Sequence, residues 1–245
     1  MIDGLRDAGF DLRVTFHADA ILREHFAEAA CELGAILARI RIPVEELIRG
    51  GGGEAPITQR LRRDLYDRGW AKRIFHVEKT VDGKTTFSQS HEIDHTKSFT
   101  RGTLALEIEW NNKDPFFDRD LENFNRLHSD GAVSVGIIVT RGSTLQSELP
   151  ALVRAFAQAS AIETFADLQA FGVAPTRRQR EAVTRDVEAR GMTFADAWAA
   201  RFAADKFGAA TTHWTKLAQR LDRGVGSPCP IVAIGLGRSV VAAGA

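Results

Sequence analysis

The sequence predicts an α/β fold in which a mixed central β-sheet is flanked by helices. Val133–Thr140 is an almost continuous apolar run, which is typical of a strand buried on both faces. Asp82-Gly83 separates two strand-like segments and favours a tight hairpin turn. Apolar residues also recur at helical spacing in several stretches, the first of them over Asp19–Ile40. Strands interspersed with such stretches indicate one sheet covered by helices.

The N-terminal part of the chain predicts helices. Asp19–Ile40 should form one long amphipathic helix that ends before Pro43, because proline cannot continue a helix. A short helix is expected at Val44–Ile48, and Gly50–Gly53 should form a flexible break, because glycine restricts the backbone least. A further helix is expected over Ile57–Asp67, since Gly69 follows it.

The middle of the chain predicts strands, and the remainder returns mainly to helical periodicity. Alternation and β-branched residues indicate strands at Ala71–Lys79, Thr85–Ser90, His91–Thr96 and Thr103–Trp110. Apolar residues on one face predict helices at Asp118–Ser129, Glu148–Ala159, Arg177–Arg190 and Thr193–Phe207. The last apolar run predicts a final strand at Ile231–Leu236.

Composition excludes several classes of protein. Lysine and arginine together number 32, as do aspartate and glutamate, so the formal net charge is zero, unlike that of proteins that coat nucleic acid non-specifically. Two cysteines exclude a disulfide scaffold and a four-cysteine zinc site. Because the chain has neither an apolar run of about 20 residues nor a signal pattern, we expect a cytoplasmic protein without a membrane partner.

The predicted strand Thr103–Trp110 carries two glutamates on one face. Side chains alternate along a strand, so Glu107 and Glu109 should point together away from the apolar residues, roughly 7 Å apart. An exposed strand face is the simplest explanation of such a pair. A third carboxylate, Asp94, precedes the strand by a short interval, and a neighbouring strand would bring it to Glu107.

Three converging carboxylates suit a hard cation such as Mg²⁺. His91 and His95 leave zinc as an alternative, but their spacing is helical, whereas their surroundings predict a strand. The residues alone therefore favour an oxygen-ligated metal site. An exposed acidic strand face remains the alternative.

Asp94 and four later segments of the chain carry a resemblance. The segments are EIEWNNKDPFFDRDLENFNRLH at residues 107–128, VSVGIIVTR at 133–141, THWTKL at 212–217 and CPIVAIGLG at 229–237. Asp94 followed by Glu107-Ile-Glu109 is similar to the PD-(D/E)xK nuclease core, with glutamate in place of lysine. Together with these segments, it resembles the family of type II restriction endonucleases that includes BglII and, more distantly, BamHI.

The resemblance implies a restriction-endonuclease-like fold and a set of site residues. Asp94, Glu107 and Glu109 would be catalytic, with Asp94 and Glu107 as ligands of Mg²⁺. A carboxylate at Glu109 cannot stabilise negative charge as an ammonium group would. It would instead orient the attacking water or accept its proton, once a bound metal has lowered the pKa of that water.

The implied activity is Mg²⁺-dependent cleavage of both strands of double-stranded DNA at a short palindromic site, by hydrolysis of phosphodiester bonds. A homodimer is expected, and so is a cognate DNA methyltransferase of the same restriction-modification system that is not a physical partner. A structure-specific DNA repair nuclease and a non-catalytic DNA-binding module on the same fold remain alternatives.

The resemblance also implies a single nuclease domain over 1–245. Its expected parts are an N-terminal helical part at 1–70, a catalytic sheet core at about 71–145, a helical segment at about 146–207, and a C-terminal DNA-facing loop and strand at about 208–240.

The candidate DNA-binding residues lie in polar or basic segments after predicted strands or within the matched motifs. They are Asn111, Asn112, Lys113, Arg119, Arg141, Ser143, Thr212, His213 and Lys216. The two asparagines would read adenine or form an Asx turn. Asp118 and Asp120 are interpreted as structural, with Asp118 as the N-cap of its helix. A zero net charge requires a local cationic surface, for which the candidates are Lys97, Lys113, Arg119, Arg141 and Lys216.

Overall fold

A six-stranded mixed sheet forms the centre of the structure, a computed structural model that describes residues 2–49 and 53–242. The strands are β1 (Asp11–Val14), β2 (Ile42–Pro43), β3 (Ala71–Val81), β4 (Lys84–Phe99), β5 (Gly102–Glu109), β6 (Val135–Arg141), β7 (Ile231–Leu236) and β8 (Val241–Ala242). The helices are α1 (Ile2–Asp7), α2 (Ala18–His25), α3 (Ala27–Ala38), α4 (Val44–Ile48), α5 (Pro56–Tyr66), α6 (Phe116–Ser129), α7 (Ser143–Ala159), α8 (Arg177–Arg190), α9 (Phe194–Lys206) and α10 (Trp214–Asp222).

The central sheet has the strand order β1-β7-β6-β5-β4-β3. Its middle strands β5, β6 and β7 run parallel, and the outer strands pair antiparallel. The parallel pair β5–β6 is joined through α6, because parallel neighbours require a crossover connection. All of β6 is buried, in agreement with its apolar sequence. The α/β fold with a mixed, helix-flanked sheet is thus confirmed.

Two hydrophobic cores cover the two faces of the sheet. The larger one contains residues of α2–α5, α7 and α9, and the smaller one contains residues of α6 and α10. Helix α6 packs so closely on β6 that a Cβ atom at Gly136 would overlap the ring of Phe124. The smaller core holds α6, which follows the acidic strand β5, against the sheet. None of the helices described here is long and apolar enough to cross a membrane.

Several predicted elements match the structure. The short helix α4 and the bounds of α8 and β7 agree with the prediction. The Asp82-Gly83 turn joins β3 and β4, with both residues at positive φ (47° and 77°), as a tight hairpin turn requires. The break predicted at Gly50–Gly53 falls mostly outside the described residues.

Other elements differ from the prediction. The long helix predicted over Asp19–Ile40 is wrong, because Phe26 leaves the helical conformation (φ −136°, ψ 35°) and separates α2 from α3. Its ring is buried and packs edge-on against Phe99 at 5.4 Å. His91–Thr96 is part of the single 16-residue strand β4. Strand β1, paired with β7, and helix α10, which lies where a loop was expected, were not predicted.

Candidate active site

Strand β5 presents two glutamates to the interior of the protein. Leu106 and Ile108 belong to the larger core, so Glu107 and Glu109 alternate with them on the opposite face, as predicted. Only 4% of Glu107 and 3% of Glu109 is exposed, which excludes the exposed strand face. The hydroxyl of Thr140 donates to the carbonyl of Glu109 at 2.7 Å and so ties the end of β5 to β6.

Strand β4 places Asp94 beside Glu107. The pairing of His95 with Leu106 aligns the two strands at this point, and the amide of Asp94 donates to Oε1 of Glu107 at 3.2 Å. Against β3, strand β4 has one extra residue between Ile93 and Thr96, a β-bulge of the kind that re-aims a side chain. The side chain of Asp94 is 56% exposed. Asp94 therefore lies at the solvent-exposed side of the buried glutamates.

Helix α6 contributes a fourth carboxylate that was interpreted only as structural. Asp120 is 1% exposed, and its Oδ1 accepts from Nε of Arg119 at 2.8 Å. Its Oδ2 is buried and accepts no hydrogen bond from a nitrogen donor or an alcohol hydroxyl of the described residues. Asp120 follows Phe117 by three positions and precedes Phe124 by four, so it lies within the apolar stripe of the helix. An aspartate in that stripe is the sequence signal that could have revealed it.

We call Asp94, Glu107, Glu109 and Asp120 the acidic cluster. Burial, followed by the charge of Asp120, raises the pKa of Glu107 well above its usual range. The same causes raise the pKa of Glu109 to about 8, and burial raises that of Asp120. Nη2 of Arg119 lies 3.5 Å from Oε1 of Glu109, and this charge opposes the rise. The cluster therefore retains protons unless a cation compensates its charge.

The donor set of the acidic cluster fits a hard divalent cation. All four side chains offer oxygen ligands, and Oδ2 of Asp120 is a buried acceptor available to a cation. The histidines do not add a zinc site: Nδ1 of His91 lies 2.8 Å from Oδ1 of Asn123, and Nδ1 of His95 lies 3.2 Å from the carbonyl of Leu106. Among the residues described, no three His, Cys, Asp or Glu side chains are already drawn together as a metal cage.

The comparison with protein families decides the class of this protein. A sequence model of the family described as restriction endonuclease BglII/BglIII matches residues 10–236 of the 245-residue chain. The chain belongs to this family. It is a site-specific deoxyribonuclease, and the six-stranded sheet with flanking helices agrees with the restriction endonuclease fold. No curated protein is a significant match to the chain.

In the endonuclease, the loop after β5 is clasped to the segment before α10. Thr212 donates its amide to the carbonyl of Asn112 at 2.9 Å, and its hydroxyl accepts from the amide of Asn112 at 3.0 Å. Lys113 and Thr211 form an adjacent β-bridge. Nδ2 of Asn112 donates to Oε2 of Glu109 at 2.8 Å. The clasp thus positions the side chain of Asn112, which holds the carboxylate of Glu109.

Arg141 lies beneath this clasp and is fully buried. Its guanidinium donates to the carbonyl of Trp110 at 2.6 Å, to the hydroxyl of Thr211 at 2.8 Å and to Oε1 of Gln146 at 3.0 Å. Burial lowers the pKa of Arg141 to about 9. The structure therefore places this candidate DNA contact in the interior, where it joins β6 to the two clasped segments.

The remaining candidates divide into exposed and internal positions. Lys113 and Arg119 are exposed, and Lys216 is half-buried with its Nζ 3.8 Å from Asp114. The other side chains are engaged within the protein: Asn111 bonds the carbonyl of Lys206, Ser143 bonds Asp11, and Thr212 and His213 are buried. Burial lowers the pKa of His213. Thr212 and His213 are therefore withdrawn from the surface, whereas Asn111 and Ser143 are half-buried, and Asn111 lines a cavity together with Asp94.

Two charged residues differ in role from the sequence interpretation. Asp118 is not an N-cap, because α6 begins at Phe116, after Pro115. The carboxylate of Asp118 instead accepts from Nη2 of Arg220 at 2.7 Å and joins α6 to α10. Lys97 is not part of a free cationic surface, since its Nζ donates to Glu32 at 2.7 Å and its side chain is 14% exposed.

The metal-free endonuclease is expected to lose stability as the pH rises from about 4.5 to about 8. Folding raises the pKa of Glu109 from 4.5 to about 8, so the folded state keeps a proton that the unfolded state has released. Where the folded state binds more protons, the free energy of unfolding falls with pH. The loss is of the order of 3–5 kcal/mol, at about 1.4 kcal/mol per pKa unit.

Urea unfolding with a chelator, at about pH 5 and about pH 8.5, checks this expectation. Glu109→Gln carries no titrating proton at this position, so its stability should depend less on pH than that of the wild type. An equal pH dependence in the two proteins would contradict the role of Glu109.

Proposed function

We propose that the endonuclease is a Mg²⁺-dependent type II restriction enzyme that cleaves both strands of a short palindromic DNA site by phosphodiester hydrolysis. The observation that carries the proposal is the acidic cluster, of which Glu107, Glu109 and Asp120 are buried, with the exposed Arg119 3.5 Å from Glu109. Buried carboxylates without a cation destabilise the folded protein, so their presence together indicates a functional role such as cation binding. With Asp94 half-exposed, the cluster is open to a substrate on one side.

The side chains of the cluster have separate proposed roles. Asp94 and Glu107 would hold the cation, since an amide–carboxylate hydrogen bond already joins the two residues. When bound, Mg²⁺ supplies Lewis-acid polarisation of the phosphate and lowers the pKa of water. Glu109 would orient the attacking water and accept its proton, because Asn112 and Arg119 hold its carboxylate in place. A raised pKa suits a proton acceptor near neutral pH.

The DNA-binding roles are proposed according to exposure. Asn112, Lys113, Arg119 and Lys216 would contact DNA, with Arg119 placed to bind the phosphate next to Glu109. The other candidates would support the contacting segments from inside the protein: Asn111, Arg141, Ser143, Thr212 and His213.

The whole chain would form a single nuclease domain that acts as a homodimer. A palindromic duplex has a two-fold axis, so two copies present one acidic cluster to each strand. A cognate DNA methyltransferase would protect the same site, without binding the endonuclease.

Digestion of plasmid and viral DNA of known sequence tests the proposed function. Wild-type protein with Mg²⁺ is expected to give discrete double-strand fragments, whose sequenced ends share one palindrome. A smear or nicks would indicate a structure-specific repair nuclease instead. Absence of cutting with any divalent cation would indicate a non-catalytic DNA-binding module. Glu107→Gln, prepared in parallel, controls for contaminating nucleases.

Salt dependence is expected to reveal a local cationic surface despite the zero net charge. If six or more phosphates are contacted, affinity for the cognate duplex in Ca²⁺ should fall by about 10³-fold between about 50 and about 200 mM salt. Lys113→Gln removes an exposed cation that follows Asn112, the residue bonded to Glu109, and should reduce the slope of log K against log salt by about one.

Arg178→Gln is the matched control, because it removes an exposed cation from α8, which packs on α9 and not on the cluster. Its salt slope should equal that of the wild type. A wild-type affinity that does not change with salt would argue against a footprint on duplex DNA.

A further inference from the structure

Asp120 occupies a position in α6 where an aspartate is costly. Phe117, Leu121 and Phe124 on the same helix are fully buried in the smaller core, and Asp120 lies in the stripe they form. Only 1% of its surface is exposed. A buried carboxylate destabilises a protein unless its oxygens are all paired, so this position calls for an explanation beyond packing.

The two oxygens of Asp120 have different surroundings. Oδ1 accepts from Arg119, whose Nε and Nη2 both lie at 2.8 Å. Oδ2 is buried and accepts no hydrogen bond from a nitrogen donor or an alcohol hydroxyl of the described residues, and the carboxyl groups of Asp120 and Glu109 hydrogen-bond to each other. A purely structural ion pair would use both oxygens, as Asp118 does by contacting Nε and Nη2 of Arg220. One oxygen of Asp120 therefore lies inside the protein without a cationic donor, where its neighbour is another carboxyl group.

This oxygen belongs to the acidic cluster. Nη2 of Arg119 contacts both Asp120 at 2.8 Å and Glu109 at 3.5 Å, so one guanidinium group joins these two carboxylates. Among the neighbouring carboxylates, the charge of Asp120 contributes most to the raised pKa of Glu107 and to that of Glu109. Asp120 thus lies beside Glu109 of β5, although it comes from a helix.

We propose that Asp120 is a further ligand of the divalent cation, acting together with Asp94 and Glu107. The inference rests on the proposed function, because it assumes that the acidic cluster binds a cation. It extends the cation site from the two strands β4 and β5 to helix α6. Oxygen ligands from three elements suit cations that take six or more oxygen donors.

Direct measurement of Ca²⁺ binding tests this assignment without relying on DNA cleavage. Isothermal titration of the full-length protein with Ca²⁺ is expected to show at least about tenfold weaker binding for Asp120→Asn than for the wild type. The asparagine side chain has the same size and would still accept from Arg119, so the melting temperature of the metal-free protein should be equal or higher.

Glu122→Gln is the matched control, since it removes a carboxylate that is 48% exposed on the same helix. Its Ca²⁺ affinity should remain within about twofold of the wild type. Asp120→Ser, which is smaller and also neutral, provides a second variant if Asp120→Asn does not fold.

Two results would exclude Asp120 as a ligand of the cation, and a third would exclude the cation site itself. If Asp120→Asn binds Ca²⁺ like the wild type while Glu107→Gln does not, the cation site exists without Asp120. A lower melting temperature with unchanged Ca²⁺ affinity would also exclude Asp120 as a ligand, because it is the signature of a structural ion pair. If Glu107→Gln also binds Ca²⁺ normally, the cation site itself is wrong, and the proposed function fails with it.

Discussion

Replacement of Glu107 by glutamine is expected to abolish DNA cleavage while leaving specific DNA binding measurable. Glu107 is 4% exposed and accepts the amide of Asp94, so glutamine fits the same space and can keep that hydrogen bond. What it removes is the negative charge proposed to hold the cation. Loss of a metal's charge stabilisation costs several kcal/mol, so the cleavage rate should fall by about 10³-fold or more.

Single-turnover cleavage in Mg²⁺ at saturating enzyme measures this rate without interference from weaker binding. Binding of the cognate duplex in Ca²⁺ is measured separately, and it can become tighter, because a negative charge near the phosphates is removed. Asp94→Asn should behave in the same way. Glu122→Gln, which removes an exposed negative charge from α6, should cleave DNA at the wild-type rate. Cleavage by Glu107→Gln within tenfold of the wild type would contradict the assignment.

Replacement of Arg141 by methionine is expected to destabilise the endonuclease by about 3 kcal/mol. Methionine fills a similar volume, but it leaves the acceptors on Trp110, Thr211 and Gln146 without their donor. Each buried acceptor without a partner costs about 1–3 kcal/mol. Burial lowers the pKa of Arg141 to about 9, so the buried guanidinium is itself unfavourable. Its removal offsets only part of the cost of the unpaired acceptors.

Urea unfolding at neutral pH measures the change in the free energy of unfolding. Arg178→Met, at an exposed position of α8, should change stability by no more than about 0.5 kcal/mol. Arg141→Lys should also be destabilised, because one ammonium group cannot span the separate acceptors. If Arg141→Met were as stable as the wild type, the proposed support of the clasp between residues 110–113 and 211–213 would be wrong.

Local patterns predicted the elements that depend on neighbouring residues. The Asp82-Gly83 turn, the strand β7 and the helix α8 follow from turn chemistry and periodicity, which need no distant partner. The break at Phe26 could not be predicted in this way, because it depends on the packing of that ring against Phe99 in strand β4. Strand β1 was missed for a similar reason, since a four-residue segment becomes a strand only by pairing with β7.

The amino-acid sequence by itself determined the α/β class, the membership of the restriction endonuclease family and the common direction of Glu107 and Glu109. These follow from periodicity and motif, which are properties of consecutive residues. Only the tertiary structure decided that the glutamates are buried, that Asp120 joins them and that Arg141 points inward. Burial depends on which distant segments cover a side chain, and helix α6 and the clasp supply that cover only after the chain has folded.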